Sequence, residues 1–292
     1  MRFTLKQLQV FLAVASHENV SQAADELAMS QSAASTALKQ LEHRFGVRLF
    51  DRIGKRLQLN EQGNDLRSKA AALISRAREL ENSLLEHNEI GEIKVGATLT
   101  IGNYLAIGIM AAFMKEHPTA RVHLNVENTA TIAAKVKNFE LDIGLIEGEL
   151  QEAELDVSYW REDELALFCA PNHPLASKRE LDDDDLLSAA WIIREKGSGT
   201  RQAFDRAMTG ILSNLTLRLE LQHTEGIKRA VEAGLGIGCL SQLTLVDAFK
   251  RGSLVRLNCS HRNLTRKFYF ILHRQKFLSH GVRSWMEHCK NS

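Results

Sequence analysis

Two glycine-rich segments combine hydroxyl side chains with the start of a helical pattern, an arrangement that suits the binding of an anion. Residues 96–102 (GATLTIG) and residues 197–201 (GSGTR) each follow a strand-like apolar run. Backbone N–H groups at such a corner are free to contact a ligand, and the helix dipole is positive there. The side chains that add to them are Thr98, Thr100, Ser198, Thr200 and Arg201.

These two corners predict a site for a small anionic ligand held between them. The Arg201 guanidinium can hold a carboxylate, sulfo or phospho group through two hydrogen bonds. Thr129, directly before the helix predicted over residues 130–138, and Glu147, directly after the strand predicted over residues 141–146, are assigned to the same site. A carboxylate at Glu147 favours a ligand of mixed polarity, or it simply lines a surface loop. In the alternative interpretation both segments are ordinary turns with Ser and Thr caps, and Arg201 faces water.

A second set of polar residues lies on one face of a predicted helix over residues 32–45. This face consists of Ser32, Ser35, Thr36 and Lys39, and it lies opposite an apolar face at the same helical spacing. A narrow face of short hydrogen-bonding side chains with one cation can enter the major groove of DNA and contact base edges. The alternative is a polar face that is only solvated.

A basic hairpin is predicted directly after this helix. Residues 48–50 and 56–59 are strand-like, with Gly54 at the turn between them. Five basic residues lie between positions 44 and 56 against the single acid Asp51. The whole chain has a formal net charge of only +1, so any attraction to phosphates must be local.

Three further helices are expected in the N-terminal third of the chain. Thr4 is the predicted N-cap of the first helix and Ser21 that of the second, over residues 21–29. A long helix is expected from Asn60, with apolar residues spaced alternately by four and three positions. They are Leu66, Ala70, Leu73, Ala77, Leu80 and Leu84. This a/d pattern favours a partner helix and a dimer, whereas a helix packed on its own domain is the alternative.

Strands and helices alternate after residue 91, which is typical of an α/β fold with largely parallel sheets. The predicted strands cover residues 93–97, 122–126, 141–146, 165–170, 190–193, 215–221, 237–240 and 268–272. The predicted helices cover residues 101–116, 130–138, 201–208, 227–233, 243–250 and 279–289.

Composition narrows the class of protein. A chain of 292 residues with 44% hydrophobic content has room for two or three domains. Four scattered cysteines indicate reduced, buried thiols, and the eleven histidines lack metal-site spacing, so neither a metal nor a cofactor is expected. No secretory pattern or membrane-length apolar run is present, so a cytoplasmic location is expected. No Ser-His-Asp, Cys-His or paired-carboxylate arrangement can be assigned, so an enzyme is not expected.

The run from Leu5 to Gly63 resembles the DNA-binding domain of the LysR-type transcriptional regulators. It combines F-x-A-V-A, S-x-A-A-x-x-L, S-Q-S-A-x-S-x-x-L-x-x-L-E and G-x-x-L-F-x-R, a specific combination. The resemblance implies a winged helix-turn-helix with Gln31, Ser32, Ser35, Thr36 and Lys39 on the recognition helix and Arg52, Lys55 and Arg56 on the wing. Many members have Arg or Lys where Thr36 stands, so the preferred DNA sequence is left open.

The resemblance also implies the architecture and partners of the whole chain. Residues 1–60 would form the DNA-binding domain and residues 61–89 the linker through which the chain dimerises. Residues 90–292 would form a two-lobed sensor like a type II periplasmic binding protein, with residues 92–161 and 267–290 in lobe one and 162–266 in lobe two. The implied partners are a small-molecule effector, a roughly two-fold symmetric duplex DNA site, a homotetramer and, further, RNA polymerase. A small-molecule receptor or enzyme on the same fold is the alternative, although it leaves residues 1–60 unexplained.

Overall fold

The computed structural model describes residues 2–54, 56–84 and 90–292, which form two compact units. The first unit contains Met1–Asn88 with the short segments Lys137–Phe139 and Gln275–Ser279, and the second contains the remainder of the chain. The predicted wing residue Lys55 and residues 85–89 of the predicted linker lie outside the described residues, as does the side chain of Leu84.

The first unit begins with three helices and a two-stranded hairpin. Their bounds are α1 (Leu5–His17), α2 (Val20–Glu26), α3 (Gln31–Phe45), β1 (Phe50–Ile53) and β2 (Arg56–Leu59). Thr4 caps α1 through a reciprocal capping box with Gln7, as the sequence predicts. The prediction for α2 is wrong: Asn19 is its cap, accepting hydrogen bonds from the backbone N–H groups of Ser21 and Gln22. The amide oxygen of an asparagine caps a helix N-terminus as well as a serine hydroxyl does.

The long helix α4 (Glu61–Leu84) packs on this unit over its first half. Ala70 and Ile74 are buried in the same core as Phe11 and Leu38, with Leu66 packed against them. Ala70 therefore does not belong to an outward-facing seam, because one helical face at intervals of four residues is used inside the unit. Leu73 and Leu80, by contrast, keep 38% and 62% of their surface exposed.

The second unit is built on nine strands among the described residues. They are β3 (Glu92–Thr98), β4 (Arg121–Glu127), β5 (Ile143–Glu147), β6 (Leu155–Cys169), β7 (Ala190–Arg194), β8 (Thr216–Leu221), β9 (Ile237–Ser241), β10 (Val255–Leu257) and β11 (Thr265–His273). Their order is β4-β3-β5-β11-β6-β9-β7-β8, with β10 paired to β6. The pairs β3–β4, β3–β5, β7–β8 and β7–β9 are parallel, and the pairs that involve β6 or β11 are antiparallel.

Helices alternate with these strands. They are α5 (Leu99–Ile101), a π-helical turn (Gly102–Ala106), α6 (Ile107–Glu116), α7 (Thr129–Lys137), α8 (Asp183–Ser188), α9 (Gly199–Ala207), α10 (Thr224–Glu232), α11 (Val246–Arg251) and α12 (His280–Asn291), with short 3₁₀ turns at Pro174–Ser177, Leu212–Asn214 and Gln242–Thr244.

Two long strands connect the two halves of this sheet. The first part of β6 pairs with β11 up to Glu164, and from Leu165 onward β6 pairs with β9 instead. Lobe one consists of β3–β5 with α5–α7 and α12, and lobe two consists of β7–β10 with α8–α11. Because β6 and β11 cross from one lobe toward the other, residues on them can reach both lobes.

The four cysteines are buried and form no disulfide bond. Burial raises the pKa of the Cys239 thiol to about 12, which disfavours the reactive thiolate. None of the described helices has the length and the apolar content that a membrane-spanning segment needs.

Candidate functional site

The polar face of α3 is open to solvent. Gln31, Ser32, Thr36 and Lys39 are exposed and Ser35 is half-buried, while Ala34, Leu38 and Leu41 on the other face are buried. The Ser30 side chain caps the helix by accepting a hydrogen bond from the Ala33 N–H, at 3.2 Å. The predicted DNA-binding residues of this helix therefore lie on one accessible surface.

The hairpin that follows α3 presents its cations outward. Arg52 on β1 and Arg56 on β2 are exposed and stand at neighbouring register positions, with Gly54 in the left-handed region at the turn (φ 64°). The backbone N–H of Leu57 donates to the Glu18 carbonyl at the end of α1, which ties the hairpin to the helices. Basic side chains on such a hairpin can contact DNA phosphates, which position a protein without reading sequence.

Several predicted ligand residues of the second unit converge where strands of both lobes end. Thr98 and Thr100 follow β3, Glu147 ends β5, and Ser198 and Thr200 begin α9 after β7. All five are at least 96% buried. Thr129, at the start of α7, joins them by donating its hydroxyl to the Glu147 backbone carbonyl at 3.1 Å.

The Glu147 carboxylate lies at the centre of this group. One oxygen accepts from the Thr100 backbone N–H at 2.9 Å. The other accepts from the Thr200 hydroxyl at 3.1 Å and from the Arg266 guanidinium at 2.7 Å. Glu147 is 1% exposed, so the alternative of a surface loop is wrong for this residue.

Arg266 on β11 is the cation of this site, and the sequence predictions missed it. It is 1% exposed and pairs with two carboxylates, those of Glu147 and Asp163 on β6, the latter at 2.6 Å. Its remaining N–H groups donate to the hydroxyls of Thr200 at 2.8 Å and Thr100 at 3.2 Å. Arg266 thus contacts residues of both lobes from a strand that connects them.

Burial alone would raise the pKa of the Glu147 carboxyl. The positive charge of Arg266 and the hydrogen bond from Thr100 outweigh that effect and hold the pKa of Glu147 below its ordinary value. The carboxylate is therefore ionised at neutral pH, and it neutralises one positive charge inside the site.

The predicted anion ligand Arg201 does not face this group, which corrects the expectation from the sequence. It is 8% exposed, and it pairs with Asp205 at 2.8 Å and with Glu220 at 2.7 Å. The alternative that Arg201 faces water is also wrong. Its i,i+4 spacing from Asp205 on α9 explains the outcome, because both side chains lie on one helical face.

Further contacts hold the two lobes together around the site. The Gln202 amide of lobe two exchanges two hydrogen bonds with the backbone of Glu149 in lobe one, at 2.8 and 3.0 Å. A Cβ atom on Gly199 would lie 2.1 Å from the Glu147 carbonyl oxygen, so only glycine permits this approach. On another side Tyr104 of the π-helical turn donates to Glu225 of α10 at 3.0 Å.

No group of three or more His, Cys, Asp or Glu side chains that could hold a metal ion occurs in the described ranges. What the arrangement offers is a cluster of hydroxyls, one backbone N–H and one guanidinium, all of which can donate hydrogen bonds to an oxyanion. The chemistry of the site is therefore binding.

Comparisons with known proteins agree with this division of the chain. The sequence profile described as "Bacterial regulatory helix-turn-helix protein, lysR family" matches residues 5–64, and the one described as "LysR substrate binding domain" matches residues 86–292. The HTH-type transcriptional regulator YeiE of Escherichia coli (strain K12) is 40% identical over 289 residues, 99% of this chain and 98% of that protein.

Two solved structures show the same architecture. A full-length OxyR from Pseudomonas aeruginosa superposes with a TM-score of 0.81 at 20% identity, covering 99% of this chain and 95% of its own. The regulatory domain of CcmR from Synechocystis, in complex with 2-PG, has a TM-score of 0.63 at 28% identity. That match covers 69% of this chain and 96% of the CcmR domain.

A winged helix-turn-helix followed by a two-lobed α/β domain defines a DNA-binding regulator with a small-molecule sensor. The chain belongs to the LysR family of transcriptional regulators. Its fold class and its DNA-binding and effector-binding domains follow from that membership, and the family consists of regulators and not enzymes.

Proposed function

We propose that this chain is a cytoplasmic transcription regulator whose binding to promoter DNA is controlled by a small anion. The observation that carries the proposal is the group of buried hydroxyls from both lobes around Glu147 and Arg266. The Thr100 and Thr200 hydroxyls accept hydrogen bonds from the Arg266 guanidinium, the Thr129 hydroxyl donates to the Glu147 backbone carbonyl, and Thr98 and Ser198 are buried two residues before Thr100 and Thr200. Because hydrogen-bond donors to an oxyanion come from both lobes, one small ligand bound between them can change the relative position of the lobes. The CcmR domain, bound to 2-PG, supports a small-molecule ligand for this fold.

Residues 1–60 supply the DNA-binding function in this proposal. Gln31, Ser32, Ser35, Thr36 and Lys39 contact base edges and neighbouring phosphates, and Arg52, Arg56 and the wing residue Lys55 contact the backbone. Residues 90–292 sense the effector, with lobe boundaries near residues 161 and 267. Effector binding changes lobe closure and, through it, the spacing of the DNA-binding domains and the bend of the DNA. RNA polymerase is a further proposed partner.

The linker, residues 61–89, is proposed to join two copies of the chain, and two dimers to form a tetramer. Leu73 and Leu80 support the dimer because they are seven residues apart on α4 and both are exposed. Two exposed leucines at this spacing on a helix favour burial against the same face of a second copy.

Replacing Leu73 and Leu80 together by glutamate is expected to abolish the dimer at micromolar concentration, because four carboxylates would then face one another in the seam. Sedimentation equilibrium measures the result. Arg78→Glu, which places the same charge at an exposed position on another face of α4, is expected to leave the dimer intact. Equal assembly of all three proteins would contradict the role of this seam.

The proposed function is tested by two assays on the full-length chain. Selection from random duplex DNA should enrich a roughly two-fold symmetric sequence, as two heads on one dimer require. A thermal-shift screen should then find stabilising ligands among sulfur oxyanions, phosphorylated sugars, dicarboxylates and amino acids. Failure to enrich any sequence would overturn the DNA-binding assignment. Hits confined to neutral or cationic compounds would overturn the proposal of an anionic effector.

Thr98→Val supplies a variant for the ligand assay. The Thr98 hydroxyl is buried and makes no hydrogen bond of normal geometry among the described residues, although it lies close enough to Glu147 to help lower the pKa of that carboxyl, so valine removes at most a weak internal contact. We expect Thr98→Val and Ser198→Ala to weaken binding of the hit about fivefold to tenfold each, the value of one hydrogen bond. Thr209→Val, at an exposed position two residues after α9 ends, should bind like the parent.

A further inference from the structure

We propose that the Glu147 carboxylate is an internal substitute for the effector anion, which must displace it to reach Arg266. This inference rests on the proposed function and names the regulation of the same site. The Glu147 carboxylate occupies the position in which a bound oxyanion would accept hydrogen bonds from Thr100, Thr200 and Arg266. A ligand carboxylate or sulfo group bound there would use the same three partners.

The donor set identifies the position as one built for an anion. A backbone N–H, a hydroxyl and a guanidinium converge on one carboxylate that is itself buried, at 2.7–3.1 Å. The three donors come from α5, α9 and β11, three separate parts of the chain. None of the three donors is adjacent to Glu147 in sequence, so all three stay in place when the Glu147 side chain moves away.

The net charge of the cluster indicates that an anionic effector replaces the Glu147 carboxylate and does not bind beside it. Arg266 carries one positive charge and faces two carboxylates, Glu147 and Asp163. This cluster has a net charge of −1, so a further anion beside it would be repelled at close range. Nearby Arg194 is also paired, with both carboxylate oxygens of Glu195, at 2.8 and 3.0 Å. Release of Glu147 restores the attraction of Arg266 for one anion.

The same contacts link the exchange to lobe closure. Glu147 belongs to lobe one, and its bond to Thr200 reaches lobe two, so the carboxylate bridges the lobes as an effector would. The buried hydroxyl of Thr98 lies at the end of β3, two residues before Thr100. It makes no hydrogen bond of normal geometry among the described residues, although it is near enough to Glu147 to help lower the pKa of that carboxyl. An effector with more oxygens than one carboxylate can use that additional donor, and it would therefore bridge the lobes differently from Glu147.

The first test measures sulfate and inorganic phosphate binding to the full-length protein by calorimetry, at ionic strength matched with sodium chloride. Glu147→Gln keeps the shape of the side chain and removes its charge, so we expect it to bind these anions about tenfold tighter than the parent or better. Glu92→Gln, the same change at an exposed position on β3, should bind like the parent. Parent-like or weaker binding by Glu147→Gln would overturn the inference.

The second test removes the Glu147 side chain and supplies a free carboxylate, acetate, in its place. Glu147→Ala leaves room for acetate, which should raise the melting temperature of this variant by about 4 °C over sodium chloride and leave the parent unchanged. If either variant folds poorly, refolding with acetate is the assay for Glu147→Ala, and no recovery by acetate counts against the inference. The double variant Glu147→Ala/Arg266→Met should not respond.

The outcomes separate the two proposals. Anion binding by the parent, with no gain in Glu147→Gln and no acetate response in Glu147→Ala, leaves the anionic effector standing and overturns the exchange. Anion binding that appears only in the Glu147 variants supports the exchange. No response to sulfate, phosphate or acetate in any of these proteins overturns the exchange, whereas the anionic effector is overturned only when the ligand screen finds hits confined to neutral or cationic compounds.

Discussion

Replacing Arg266 by methionine is expected to lower the free energy of unfolding by about 3–5 kcal/mol, one of the largest effects of any single substitution in this chain. The guanidinium is 1% exposed, and its loss leaves the carboxylates of Glu147 and Asp163 buried without their cation. The two carboxylates then stay buried without a counter-ion and repel each other, or they take up a proton. Urea denaturation of the full-length protein measures the change.

Arg206→Met is the matched control for this prediction. Arg206 pairs with Glu149 at 2.9 Å, but about half of its side chain is exposed, so its loss should cost less than about 1 kcal/mol. Similar losses in both variants would mean that the buried network contributes no more than a surface ion pair, and would contradict the central role given to Arg266.

Replacing Arg52 and Arg56 by alanine is expected to weaken binding to all DNA sequences alike and to flatten its salt dependence. Each phosphate contact that is lost lowers the slope of log K against log salt concentration by about 0.9, so the pair should lower it by about 1.8. Both side chains are exposed on the hairpin, so the fold should be unaffected. Fluorescence anisotropy with a selected duplex, over a series of salt concentrations, measures the slope.

Arg229→Ala removes the same charge from α10 in the second unit, where the side chain is largely exposed, and should leave the slope unchanged. A double wing variant with the parental slope would show that the hairpin does not contact phosphates. A variant that loses affinity for the selected site alone would mean that these arginines contact bases instead.

Local sequence patterns predicted the elements of this protein well. Periodicity and turn residues indicated nearly every helix and strand, since each depends on neighbours within a few positions. The strand β6 was the main underestimate. Residues 161–164 of its first half are all charged and interrupt any apolar run, and this half pairs with β11, about 110 residues later. The expected strand began at residue 165, where the apolar run starts, whereas β6 begins at Leu155.

The sequence assigned to one site the residues of the two glycine-rich corners, Thr98, Thr100, Ser198 and Thr200, together with Thr129 and Glu147. Arg266 was missed because its carboxylate partners lie 103 and 119 residues away. A signal was present: Arg266, Phe268 and Phe270 alternate along β11, and all three are buried. An arginine on the apolar face of a strand must have a buried counter-ion, and that rule would have found it.

The regularly spaced apolar residues of the linker helix α4 belong to two different surfaces. The spacing of Leu66, Ala70 and Leu73 fits a heptad seam, yet Ala70 is buried with Ile74 in the core of the first unit and Leu73 remains exposed. An isolated helix gives no information about which neighbour covers each face. Only the tertiary contacts of α4 divide its apolar residues between the two roles.

The most direct test of the account measures the affinity of one stabilising anion for the protein alone and for the protein bound to its selected DNA site. If the anion controls DNA binding, linkage requires that the two affinities differ by the same factor by which the anion changes DNA affinity, typically about 5-fold to 150-fold. We predict such a difference, by isothermal titration calorimetry at fixed ionic strength, and its loss in Arg266→Met. Equal affinities for the free and the DNA-bound protein would contradict the account.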